Sequence, residues 1–367
     1  MIAIFAFSFV VSLCLSLFLM LRGRAHAARY ALDMPQRFHK GHVPRLGGVA
    51  IALACVAAWV MTAVAPWFGL RINVVLGWQD AGLWACALAP LVLAGVYEDV
   101  SQRLGVRWRL GASVLTGVLA SALLGMSVQR FGLPTLDRWW AMLPWLGMGL
   151  AVLAIAGLPH AFNIIDGYNG LAGLVAMLVC GAVAYVALNL GDRVLAGLMA
   201  GLMGATAGFL YWNYPRGLIF AGDGGAYLWG GAIAMACISL VQRHPVVSPW
   251  FVLLLLIYPV SETIFSIYRK LVRGGSPGVA DSLHFHQLVY KRIVRGVFHD
   301  NETRRMLMRN NRTSPYLWAF TALTVVPAVL FWNNTVVLML FCAFFVMAYI
   351  LSYLMIVRFK VPRWLSR

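Results

Sequence analysis

The sequence is short of charge. Only 11% of its 367 residues are Asp, Glu, Lys or Arg, whereas 62% are hydrophobic. Soluble domains carry about 25% charged residues, so composition argues against a water-soluble globule. No long polar stretch is present either. The longest, 269–315, is too short for a separate domain of ordinary size. Internal repeats and low-complexity runs are missing. The strict apolar–polar alternation of a membrane β-barrel is missing as well. Cysteine is sparse: Cys14, Cys55, Cys86, Cys180, Cys237 and Cys342 all fall in apolar runs without metal-ligand spacing. They read as packing residues, and a zinc site is disfavoured.

What is there is a series of continuous apolar runs. A hydrocarbon core of about 30 Å takes roughly 20 apolar residues per helix, with all backbone groups bonded inside the segment. Eleven spans are expected, at 1–21, 46–66, 82–97, 109–127, 140–158, 170–190, 194–212, 224–242, 248–268, 316–332 and 335–357. The expected fold is an all-α polytopic transmembrane bundle, one integral membrane domain over 1–367. Its main cytoplasmic loop lies at 269–315, helical near 283–295 and 300–310. Pro259 should bend or break its helix, since proline removes a backbone bond. Basic residues follow the first apolar run and none precede it, which fits a retained helix rather than a signal peptide.

The net charge of +17 is explained by sidedness. With alternate loops on opposite sides, five of the 29 basic residues fall on one side: Arg71, Arg130, Arg138, Arg193 and Arg243. The rest fall on the other side, which the positive-inside rule makes cytoplasmic. The N-terminus is then outside and the C-terminus inside. Because the basic residues flank membrane helices, nucleic-acid binding is disfavoured as their purpose.

Acids number only twelve. Asp80, Asp137 and Asp192 fall in outer loops and read as solvated charges. Asp33, Asp300 and Glu302 sit among inner basic residues and read the same way. Glu98, Asp99, Asp166, Asp223, Glu262 and Asp281 fall at or near the inner helix ends, where ionisable groups are functional candidates. Asn163, Asp166 and Asn169, spaced by three, would share one face if their segment is helical. Asp223 stands between Gly222 and Gly224 at a helix start, a place suited to phosphate and, through the carboxylate, to a metal. His284 and His286 follow Asp281 in the long inner loop. Oxygen ligands of this kind select a hard cation such as Mg²⁺, which points to phosphate chemistry at a membrane surface.

Five strings, in order, resemble the polyprenyl-phosphate N-acetylhexosamine-1-phosphate transferases, the family of the MraY and WecA enzymes. They are Pro44-Arg-Leu-Gly-Gly48 after Lys40, Glu98-Asp99, Asn163 to Ala172, Gly222-Asp223-Gly224, and His284-Phe-His286. The sequence departs from the family pattern at Glu98, Asn169 and Gln287. The resemblance covers nearly the whole chain and favours the WecA-type branch. It implies attack of undecaprenyl phosphate on a UDP-N-acetylhexosamine, with UMP released, at the cytoplasmic face of a bacterial inner membrane. Lipid-linked glycans of the O-antigen, lipopolysaccharide or capsule kind would begin this way. The implied catalytic residues are Glu98, Asp99, Asp166 and Asp223, with Asp223 the ligand of Mg²⁺ or Mn²⁺. The implied substrate contacts are Lys40, Arg45, Asn163, Asn169, His284 and His286. The bilayer is a partner, nucleic acid is not, and a homodimer is left open. The rival readings are a transporter of an anionic substrate and a non-catalytic scaffold. Transporters tend to carry repeats and midplane sites, whereas these acids gather at one face.

Overall fold

The computed structural model describes residues 1–27, 42–69, 76–272 and 283–358. Among them there is no strand. The helices are α1 (Ile2–Ala27), α2 (Gly47–Val64), α3 (Trp78–Ser101), α4 (Val106–Leu124), α5 (Pro134–Ala141), α6 (Pro144–Ile165), α7 (Leu171–Asn189), α8 (Arg193–Asn213), α9 (Gly222–Arg243), α10 (Pro249–Val272), α11 (Phe285–Leu288), α12 (Glu302–Leu330) and α13 (Thr335–Val357). Ten of them are long and apolar enough to cross a membrane. The chain is a multi-pass helical membrane protein. Helix α4, where a span was expected at 109–127, is not among the ten, because Arg107 and Arg109 in its first turn reduce its apolarity.

Helix α9 is the axis of the bundle. It is buried over nearly its whole length and packs against α2, α3 and α6. Small residues allow this. A Cβ at Gly48 would strike the backbone of Gly224 and Gly225, and one at Gly95 would lie 2.7 Å from the Gly224 Cα. The Gly47 and Gly48 amides donate to Phe220 O and Ala221 O at 2.9 and 2.8 Å, and the Phe220 amide returns a bond to Pro44 O at 2.9 Å. The Pro44–Gly48 string therefore clamps the segment that leads into Asp223. Helices α1 and α8 use the same device: Gly204 and Gly208 lie against the carbonyls of Phe5 and Phe9, and Ser8 and Ser12 are fully buried beside them. Close approach of small residues is the usual source of helix association in lipid, where no hydrophobic force acts between helices. Large apolar side chains such as Leu93, Leu153, Leu323 and Leu340 point outward.

Of the two outcomes open at Pro259, a bend or a break, the break does not occur. Helix α10 runs unbroken through Pro259, with the Thr263 hydroxyl donating to Pro259 O at 2.9 Å. In a bilayer the remaining backbone bonds have no competing water, which favours continuity. The helix expected near 300–310 and the span expected at 316–332 form one helix, α12, with Pro315 and Pro327 inside it.

The two ends of the bundle differ in chemistry. Asp80 opens α3 and Asp99 nearly closes it, so a rise of 1.5 Å per residue puts them roughly 28 Å apart. The Asp80 end carries structural pairs rather than the solvated charges expected there. Asp192 accepts from the Leu195 amide and meets Arg243 at 2.9 Å and His244 at 3.1 Å. Asp137 accepts from the amides of Phe131 and Gly132 at 2.6 and 3.0 Å. Arg130 donates to the carbonyls of Val241, His244 and Val247. The Asp99 end opens into a polar cleft.

Candidate active site

The cleft has a volume of about 250 Å³ and joins the α6–α7 loop, the start of α9 and the His284–Gln287 segment. Asp223 enters it from the first turn of α9. One carboxylate oxygen accepts from Asn163 Nδ2 at 2.8 Å, and the other meets Arg109 Nη1 at 2.9 Å. Asn163 reaches across from the last turn of α6, and Arg109 from the first turn of α4. The position of Asp223 is set from behind by Asp99. Asp99 is 4% exposed, and its two oxygens accept from the amides of Asp223 and Gly224 at 2.9 and 2.8 Å. Amides at a helix N-terminus have no partner within the helix, and an anion there also meets the favourable end of the helix dipole. Gly222, at φ +70°, lies so close to Asp99 that a Cβ would strike both carboxylate oxygens.

Asp99 thus lies behind Asp223 rather than beside it. Its oxygens are engaged by backbone amides, and it does not line the cleft. Glu98 does not line the cleft either. It accepts from the Leu104 amide at 2.7 Å and shapes the turn between α3 and α4. Adjacent residues on a helix point in different directions, so the two carboxylates engage different backbone amides.

Asp166, Asn163 and Asn169 all line the cleft, though not from one helix face. Helix α6 ends at Ile165, and Gly170 at φ +72° caps the start of α7, so Asp166 to Asn169 form a turn. Asn169 is held from α12: its amide donates to Asn310 Oδ1 at 2.8 Å, its side chain donates to Asn311 Oδ1 at 3.0 Å, and Ser314 donates to its carbonyl at 2.6 Å. The Gly170 amide donates to Asn213 Oδ1 at 2.6 Å. Burial and the charge of Asp223 push the Asp166 carboxyl up to about 7, with Arg45 opposing the rise. A carboxyl raised by burial and by a neighbouring carboxylate in a polar cleft marks a place that suits a cation.

Arg45, His284 and His286 line the same cleft. The two imidazoles stack with centroids 5.4 Å apart and 5° between planes. Lys40 and Asp281 lie outside the described residues. Arg109, Asn213, Asn310 and Asn311 are additions to the residues named from sequence. Arg109 had counted only toward sidedness, although an arginine inside an apolar run was itself a signal.

Among the described residues, no group of three or more His, Cys, Asp or Glu is gathered to hold a metal. Mg²⁺ does not need one, since it is usually bound through one or two carboxylates plus waters and substrate phosphates. Asp223 and Asp166, both in the cleft, fit that demand.

The architecture defines a membrane protein with an acid- and amide-lined cleft at one end of a helical bundle. Residues 81–241, which contain Glu98, Asp99, the α6–α7 loop and Asp223, match the model of glycosyl transferase family 4. The chain is similar to a probable undecaprenyl-phosphate N-acetylglucosaminyl 1-phosphate transferase of Bacillus subtilis strain 168. The two are 25% identical over 264 residues, covering 70% of this chain and 68% of the relative. It is also similar to an undecaprenyl-phosphate alpha-N-acetylglucosaminyl 1-phosphate transferase of Thermotoga maritima, at 26% identity over 71% of this chain and 74% of the relative. A phospho-N-acetylmuramoyl-pentapeptide-transferase of Moorella thermoacetica is 28% identical over 57% of this chain and 64% of its own length. These matches bear out the resemblance drawn from the five strings: the chain is similar to glycosyl transferase family 4 and to enzymes of the MraY and WecA kind.

Proposed function

We propose that this protein transfers an N-acetylhexosamine-1-phosphate from a UDP-sugar to undecaprenyl phosphate, releasing UMP, and so starts a lipid-linked glycan. The observation that carries the reading is the cleft itself. Asp223, fixed from three sides, faces Asp166, Arg45 and two histidines at one end of a membrane bundle. Its relatives named for sugar-1-phosphate transfer support the same reading.

Phosphoryl transfer needs positioning and charge neutralisation more than covalent help. Arg45 would meet donor phosphates in the cleft. Arg109 sits beside Trp108 and Leu110, which are 74% and 49% exposed on the outer surface of α4. It therefore stands between Asp223 and the lipid side, where an acceptor phosphate would arrive. Asn163 orients the Asp223 carboxylate, and Asn169 fixes the loop that carries Asp166. A phosphate monoester has a second pKa near 6, so the acceptor is already mostly ionised at neutral pH. A direct displacement without a general base follows. A Mg²⁺ ion held by Asp223 and Asp166 would supply charge neutralisation on the transferring phosphate.

The test is label transfer from a panel of UDP-sugars into undecaprenyl phosphate by purified protein. We expect UDP-N-acetylglucosamine to serve with Mg²⁺ or Mn²⁺, and EDTA to stop the reaction. Full turnover in excess EDTA would remove the metal, and inactivity across the panel would remove the reading.

Sidedness is part of the proposal. The cleft end faces the cytoplasm of a bacterial inner membrane, with the N-terminus outside and the C-terminus inside, α4 adding an eleventh crossing to the ten apolar helices. A C-terminal phosphatase fusion should be inactive and a C-terminal fluorescent fusion bright. The opposite pair of results would invert the topology.

A further inference from the structure

A second cavity, of about 440 Å³, lies between the 293–297 segment and the middle of α12, with Tyr214 from the end of α8 also in its wall. None of its lining residues lines the cleft. Ile293, Val294, Val297 and Pro315 make it mostly apolar, and Arg312, Tyr316 and Asn311 add polar groups. Such walls suit hydrocarbon, while a guanidinium suits a phosphate. Arg312 makes no hydrogen bond or ion pair among the described residues. Its neighbour Arg309, by contrast, is held by the carbonyls of Val294 and Tyr290.

The sequence fixes the depth of this cavity in the bilayer. Arg312 is the last charged residue before a stretch, 313–357, that has none. The cavity therefore lies where α12 passes from its polar part into hydrocarbon. Tyr214 marks the same boundary on α8, which ends at Asn213 with Arg216 just beyond. Tyrosine is favoured at this level. Pro315 and Tyr316 are exposed, and exposed surface of a membrane helix at this depth meets lipid. Phe298, next to the lining Val297, is 88% exposed, so an apolar ring also stands uncovered beside the cavity. Between Lys291 and Arg312 the chain carries seven basic residues against Asp300 and Glu302. Basic pockets between membrane helices on the cytoplasmic side recognise anionic headgroups. Asp223 is not in the cavity wall, so the reacting end of a polyprenyl acceptor does not belong there.

Two of the wall residues also hold the turn in the cleft. Asn311 accepts from Asn169 Nδ2 at 3.0 Å and donates to Pro215 O at 2.6 Å. The Tyr214 ring meets Trp318 edge-on at 4.9 Å, and a Cβ at Gly170 would lie 3.0 Å from the Tyr214 side chain. We propose that this cavity binds one anionic phospholipid from the leaflet on the cleft side. Its phosphate meets Arg312, and the upper part of an acyl chain lies against Ile293, Val297 and Pro315. Filling the cavity limits the motion of Asn311 and Tyr214, so the bound lipid braces the Asn169–Gly170 turn.

The experiment uses the full-length protein, delipidated in detergent and titrated with phosphatidylglycerol or phosphatidylcholine, with retained lipid read by native mass spectrometry. One phosphatidylglycerol should be held about tenfold more tightly than phosphatidylcholine, the scale of one hydrogen bond between charged groups. Arg312→Gln should remove that preference. Gly296→Leu should weaken retention of both lipids: Gly296 lines the cavity, and a Cβ there meets nothing within 4 Å, so the new side chain enters free space. Neither change touches a packed group, and both variants should melt like the wild type. Equal retention of the two lipids by the wild type, or a preference that survives both substitutions, overturns the proposal. Two competitors test the source of the phosphate. Displacement by soluble glycerol 3-phosphate would show a headgroup site without a lipid requirement, and displacement by equimolar undecaprenyl phosphate would show part of the acceptor's path; either result overturns the proposal. Hydrogen–deuterium exchange tests the bracing. The Asp166–Gly170 turn should exchange more slowly with phosphatidylglycerol in the wild type and not in Gly296→Leu, and an unchanged rate in the wild type removes the bracing. None of these readouts needs sugar transfer, so a wild type without transfer activity sinks the proposed function and leaves this site to stand or fall on lipid binding.

Discussion

Replacing Asp223 by asparagine should lower turnover by at least ~10²-fold, the scale of losing one well-placed electrostatic contributor. The substitution keeps shape and removes charge. Asn163 could still donate to the remaining side-chain oxygen, but the new amino group would face Arg109 Nη1, now 2.9 Å from the carboxylate. Donor would meet donor, and the cleft would lose its negative charge where a cation and phosphates must meet. The fold should survive, because the backbone of Asp223 stays bound to Asp99. Thermal melting in detergent should therefore stay close to wild type while lipid-linked sugar formation collapses. Glu98→Gln should be mild, since a carboxamide oxygen can still accept from Leu104. Asp80→Asn, at the opposite end of α3, is the control and should be close to neutral. Normal activity in Asp223→Asn together with its loss in Asp80→Asn would show both the site and its end of the bundle to be misplaced.

The contrast between Asp223 and Asp80 was legible in the sequence because acids are so scarce in it. Each carboxylate at an inner helix end stood out against apolar runs, and glycines marked Asp223 as lying where backbones come close. The helices were legible for the same reason, since hydrophobic length alone locates them. What could not be read was which groups face each other. Arg109 is 114 residues from Asp223 in sequence and His284 is 22 from Glu262, and no local pattern joins either pair. Asn213, Asn310 and Asn311 carried even less signal, because an amide near a helix end is common and only packing shows that these three hold the Asn169–Gly170 turn. The Pro44–Gly48 string was visible as a motif, but its work against the start of α9 needs the third dimension. Helix ends misled most where side chains compete with periodicity. The helix that would have aligned Asn163, Asp166 and Asn169 ends at Ile165, whereas Pro259, Pro315 and Pro327 do not stop theirs.

Asp99→Asn should damage both activity and stability, and this separates Asp99 from Asp223. Asp99 uses each oxygen for one amide at the head of α9. Asparagine keeps one acceptor and turns an amino group toward the second amide, so a buried N–H loses its partner in a pocket closed by Gly222 and Gly224. A buried donor left unpaired costs about 1–3 kcal/mol. The loss falls on the turn that aims Asp223, and a displacement of about 1 Å in a reacting group can cost on the order of 10²-fold in rate. The expected result is a lower melting temperature in detergent together with a fall in turnover comparable to that of Asp223→Asn. Glu is no rescue, because its extra methylene has no room beside Gly222, whose absent Cβ already marks the limit of the space. A variant that melts like wild type yet is inactive would show that Asp99 meets the reacting atoms directly. A variant that melts early yet turns over normally would show that the head of α9 does not aim Asp223.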